Sequence, residues 1–157
     1  MRGVLRQSCV GWVLVLAACL AGAAPSDDGD NQALLADRDY AAGLAALRAG
    51  DAAAGLVRLE QALKRFPDNA DVHNELGFAH RNLKQFDKAF HHYRRALEID
   101  PRHRAAHEYI GEAYLLVGDQ PAAERHLAAL RSICMLGCEE VRELQKAIAD
   151  HRRRAGK

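Results

Sequence analysis

A spacing of 34 residues constrains what this chain can fold into more than any other feature of it. Gly43, Gly77 and Gly111 recur at that interval, and so do Pro67 and Pro101. Gly50, Leu59 and Ala62 stand one period before Lys84, Tyr93 and Ala96, while Ala123 and Leu127 stand one period after Ala89 and Tyr93. Self-similarity at a period of roughly 20 to 50 residues marks a chain built by stacking one small unit on the next. The register gives three units, at about 36–69, 70–103 and 104–137.

The middle unit shows what the period encodes. Val72, Leu76, Ala79 and Leu83 lie three or four residues apart and share one helical face, and Phe86, Ala89, Phe90, Tyr93 and Leu97 do the same in the next segment. The unit is therefore predicted to be two amphipathic helices. Gly77 and Ala89 are small where the two axes approach, Ala96 is small where the next unit stacks, and Pro101 stops the second helix because its ring clashes with a continuing turn. One such hairpin cannot bury both of its apolar faces. The predicted fold is all-α, with the units stacked in one array.

With Leu76, Gly77, Ala89, Tyr93, Ala96 and Pro101 in these positions, residues 70–103 resemble a tetratricopeptide repeat, and the resemblance extends over about 36–137. It is weakest in the first unit, where Ala42, Ala46 and Gly55 replace the usual Leu, aromatic and Ala. Gly55 costs its helix up to about 1 kcal/mol relative to Ala, which makes the first hairpin the expected mobile part. The resemblance implies a right-handed superhelix whose first helices line a concave groove, and a non-catalytic role in binding a peptide or protein partner there. Carried over one at a time, the groove positions are Tyr40, Leu44 and Leu47 in the first unit, Asp71, Asn74, Phe78 and Arg81 in the second, and Glu108, Glu112 and Leu115 in the third. Phe78 and Arg81 are the expected anchors, since aromatic and Arg side chains dominate interface energetics. Members of the family that clamp the carboxyl terminus of cytosolic chaperones carry Lys, Asn, Lys and Arg where this chain has Tyr40, Leu44, Ala105 and Tyr109, so that subclass is not expected here.

Before the repeats, Arg2 and Arg6 precede an apolar run over 9–20, and Ala21, Gly22 and Ala23 give a small-x-small cleavage pattern. Residues 1–23 read as a secretory signal peptide, and their apolar length is short for a membrane span. Residues 24–33, small and acidic, are expected to be a disordered leader. Export points to a bacterial periplasm. The alternative is that Leu16, Ala17, Ala18 and Cys19 form a lipobox, which they resemble; lipidation of Cys19 would then attach the protein to the bacterial membrane.

After the repeats, residues 138–157 are expected to be a capping helix and basic tail. Val141, Leu144, Ala147 and Ile148 form one apolar stripe, with Glu139, Glu140 and Glu143 at its start and Arg152, Arg153, Arg154 and Lys157 at its end. Cys134 and Cys138 sit at the junction, four residues apart around Gly137. In an exported protein they are expected to form a structural disulfide, with thiol-redox chemistry as the alternative reading.

Composition narrows the function further. With 22 Lys and Arg against 21 Asp and Glu, the chain lacks the concentrated charge that non-specific nucleic-acid binding needs. Eight His invite a metal reading, and His103 and His107 are four apart, a possible ligand spacing, but His103 lies in the turn between repeats and no Cys or carboxylate cluster completes a set. No metal, cofactor or catalytic group is expected, since no nucleophile elbow, phosphate loop, HExxH or carboxylate pair is present. The expected role is a protein-interaction scaffold of the bacterial cell envelope; a self-associating structural protein is the alternative.

Overall fold

The computed structural model of the protein describes residues 27–156. The expected signal peptide and the lipobox-like stretch ending at Cys19 therefore lie outside the described residues. Those described form helices α1 (Asp27–Leu35), α2 (Arg38–Arg48), α3 (Ala52–Arg65), α4 (Ala70–Asn82), α5 (Phe86–Ile99), α6 (Arg104–Leu116), α7 (Gln120–Ile133) and α8 (Glu139–Ala155), with no strand among them. The order is one lead-in helix, three hairpins and a last helix.

The starts of α2, α3, α4 and α7 are written in side chains. Asp37 accepts from the Tyr40 amide at 2.9 Å, Asp51 from Ala54 at 2.9 Å, Asn69 from Val72 at 3.2 Å and Asp119 from Ala122 at 3.0 Å. Each bond satisfies one of the amides a helix start leaves without an internal partner. The turn inside each hairpin also recurs, with a residue of positive φ at Gly50 (79°), Lys84 (59°) and Gly118 (85°).

Hairpin closure depends on missing side chains. A Cβ at Gly43 would lie 2.7 Å from Leu59 of α3, and one at Gly77 would lie 2.6 Å from the Tyr93 ring of α5. The third hairpin breaks the pattern, because its Gly111 faces Leu144 of α8, 2.7 Å from where a Cβ would sit. Helix α8 thus covers the last hairpin, burying Leu144 and Ile148 with Leu115, Leu127 and Leu130.

Two expectations change here. The stretch 24–33 is not an unstructured leader from residue 27 onward, since α1 runs from Asp27 to Leu35. Leu34, 1% exposed, joins Tyr40, Leu47 and Leu59 in the first core cluster, and burying it draws the preceding turns into a helix. A segment this short shows no periodicity to read. Gly55 is also more than a weak helix former: a Cβ there would lie 2.8 Å from Leu47, so its absence lets α3 close on α2.

Candidate functional site

The first helices of the three hairpins border an open cavity of about 310 Å³, lined by Tyr40, Leu44, Leu47 and Arg48 of α2, Glu75 and Phe78 of α4, and Tyr109 of α6. Four of the expected groove residues, Tyr40, Leu44, Leu47 and Phe78, meet in this cavity. Leu44 and Phe78 are a period apart and line up because each hairpin turns the same face of its first helix the same way.

Arg81 stands beside this cavity, and its bonds are made within the protein. Its guanidinium lies 5.0 Å from the Phe78 ring centroid and 5.3 Å from that of Tyr109, while Phe78 and Tyr109 are themselves 5.3 Å apart. It donates to Glu112 Oε2 at 2.5 Å and to the Tyr109 carbonyl at 3.4 Å. With its side chain only 11% exposed, Arg81 ties α4 to α6 and positions the two rings. It is a buttress of the groove wall. Cation–π contact of this kind contributes on the order of 1 kcal/mol.

The remaining expected positions separate. Asn74 is buried and donates to Glu75 Oε1 at 3.2 Å. Asp71 does not line that cavity and accepts from His103 Nε2 at 3.0 Å, in a second depression of about 460 Å³ formed by the turns between hairpins. His103 accepts the Ala106 amide through Nδ1 at 3.0 Å, so both of its ring nitrogens are engaged and it caps α6.

Beyond Tyr109 the groove becomes acidic. Burial, then the nearby carboxylates Glu112, Glu140 and Glu143, push the Glu108 carboxyl up to about 7. Burial also raises Glu75, against the hydrogen bond from Asn74. Helix α8 brings Glu140 and Glu143 to this wall, which no reading of the repeats alone supplies. Cys134 and Cys138 come together in the α7–α8 junction with Cα atoms 5.8 Å apart, and Gly137 takes φ 83° between them.

The model of the tetratricopeptide repeat family matches residues 70–103. The chain carries a tetratricopeptide repeat. That repeat is hairpin α4–α5, the one that supplies Phe78, Arg81 and Glu75. Among solved structures, the tetratricopeptide TPR2B domain of yeast Sti1, in its pHsp70 complex, superposes with a TM-score of 0.67 at 19% identity, over 74% of this chain and 94% of that one. This likeness shows the fold: an all-α superhelix of tetratricopeptide type. The Arabidopsis thaliana protein described as Protein CTR9 homolog is 29% identical over 102 residues, 65% of this chain. The chain spans about 9% of that relative's length.

Tyr109, Glu75 and Arg48 line the cavity without having been expected there. Tyr109 stands one period after Glu75. Both occupy the repeat position next to the carried-over Asn74, and that shared register was the available signal.

Proposed function

We propose that this chain is a non-catalytic scaffold of the bacterial cell envelope that binds a peptide or protein partner in its groove, with the hairpins flanking 70–103 serving as further repeats. One observation carries the reading: an open cavity of about 310 Å³ at the meeting of three first helices, where Tyr40, Leu44, Leu47, Phe78 and Tyr109 stand beside Arg48 and Glu75, with Glu108 next along α6. An apolar partner side chain fills Tyr40, Leu44, Leu47 and Phe78, and a neighbouring Lys or Arg lies against the acidic wall. The export pattern in 1–23 supports the envelope location; soluble and Cys19-lipidated forms differ in intact mass.

Selection from a random peptide library followed by titration calorimetry tests this. The expected peptides pair an apolar residue with a cation, and Leu44→Glu lowers their affinity at least about tenfold, in keeping with loss of an interface anchor. Peptides that bind Leu44→Glu as well as the parent chain overturn the groove reading. Leu44 is the better probe than Arg81, whose removal would disturb the α4–α6 contact itself.

The Cys134–Cys138 spacing fits a structural disulfide that fixes α8 on the third hairpin, since 5.8 Å lies inside the Cα range such a bond requires. A thiol count on material purified without reductant should find neither residue free. Thiol label located on Cys134 and Cys138 by peptide mass spectrometry would refute the bond.

A further inference from the structure

The second and third hairpins contain the same three-part contact one period apart. His73 of α4 and His92 of α5 meet Nδ1 to Nδ1 at 3.0 Å, and Nε2 of His73 lies 3.0 Å from the Pro67 carbonyl oxygen in the turn before α4. His107 of α6 and His126 of α7 meet Nδ1 to Nδ1 at 2.9 Å, and Nε2 of His107 lies 3.1 Å from the Pro101 carbonyl. At the corresponding two positions the first hairpin has Asp39 and Arg58, paired at 3.3 Å.

The carbonyls settle where the protons are. A carbonyl oxygen only accepts, so Nε2 of His73 and of His107 carries hydrogen. In the neutral ring Nδ1 is then bare, and the hydrogen between the two rings belongs to Nδ1 of His92 or His126. Each pair is held with both rings neutral. A proton added at Nδ1 of His73 sets two N–H groups head to head. A proton added at Nε2 of His92 keeps the bond but charges a half-buried ring.

The surroundings offer such a charge little relief. His92 is faced by His73, His80, His91 and Lys88, with the His80 ring stacked at 5.4 Å. Around His73 stand Arg95, His91 and the carboxylate of Asp68. His126 is faced by His107 and Arg125, with Tyr114 stacked at 5.7 Å, and His107 by His103 and Asp100. Burial first, and then these neighbouring basic groups, hold His92 and His126 down to about 4, and burial lowers His73 and His107 as well.

We propose that the two histidine pairs are acid-labile clasps: neutral, each ties a first helix to its second helix and to the preceding turn, and on protonation hairpins two and three loosen while hairpin one stays closed. An opened histidine takes up its proton near 6.5 and a clasped His92 near 4, so the opened state binds more protons between those values. Closure is therefore complete above about 6.5 and weakens as pH falls through the window. The Asp39–Arg58 pair needs both partners charged, the reverse requirement.

Two measurements on the full chain test the clasps. Long-range proton–nitrogen NMR of the wild-type imidazoles should find Nε2–H on His73 and His107, Nδ1–H on His92 and His126, and midpoints below 6.5 for all four. Opposite tautomers or ordinary midpoints overturn the proposal, whatever the variants do. In thermal unfolding, acidification from about pH 7.5 to about pH 5 should raise the wild-type unfolding constant on the order of tenfold per clasp. H73D/H92R, which copies the first hairpin, should lose about half of that response, and adding H107D/H126R should remove it. Glu75 and Glu108, raised in the fold, stabilise as pH falls but are common to every chain compared, so the difference between chains is the readout. Variants that lose stability as steeply as wild type overturn the clasps.

Discussion

Hairpin α2–α3 seats Leu59 over Gly43 and joins its helices through the Asp39–Arg58 ion pair, whereas hairpin α4–α5 seats the Tyr93 ring over Gly77 and joins its helices through His73 and His92. The backbone plan is shared. The chemistry filling it is not: a branched aliphatic gives way to a rigid ring, and a pair held by charge gives way to one held by neutrality. Register dictates where two helices must touch, and leaves open which kind of contact is made there. The same freedom explains the third hairpin, where the space over Gly111 is filled from outside the repeat by Leu144 of α8.

The largest effect that would sharpen this comparison is at the two glycines. In Gly77→Ala the new methyl would lie 2.6 Å from two atoms of the Tyr93 ring, which is fully buried and turns only as a plate. Overpacking of this kind costs about 3 kcal/mol. In Gly43→Ala the methyl would lie 2.7 Å from Leu59 Cγ, on a side chain equally buried but smaller and less rigid than a ring, and the expected loss is about half as large. Urea unfolding of both variants checks the ratio. Equal losses would mean that backbone approach, and not the stiffness of the covering side chain, sets the tolerance.

Much of this fold could be read from the sequence because its signals are local and repeated. The proline and glycine series marks the hairpins, and Tyr40, Leu44, Leu47 and Phe78, carried over from the family resemblance, lie around one cavity. What escaped was non-local. Nothing in the sequence pattern says that Arg81 spends its donors on Glu112 and the Tyr109 carbonyl. The acidic wall depends on the angle at which α8 returns across α6, which brings Glu140 and Glu143 to Glu108. The histidines were visible at matching positions, His73 with His107 and His92 with His126, but their pairing needs the distance between two helices. Helix α1 escaped for the opposite reason, since one buried leucine is too little pattern to read.

The smallest effect lies in the turns, where the comparison reverses in favour of the first hairpin. Gly50 and Lys84 occupy the same repeat position with φ of 79° and 59°, in the left-handed region where a Cβ crowds the following carbonyl. That crowding costs a non-glycine residue about 1 kcal/mol, and Lys84 bears it in the hairpin that matches the repeat family best. Replacing it with glycine removes the crowding but gives the unfolded chain more freedom, which takes back roughly half. Lys84→Gly should therefore raise stability by about 0.5 kcal/mol, and Gly50→Ala, with open space around it but the same φ, should lower it by about 1 kcal/mol. Chemical denaturation of the two variants side by side is sufficient. A loss in Lys84→Gly would mean that the lysine side chain contributes more to the turn than its backbone costs, and the two hairpins would then differ in their turns as well as in their interiors.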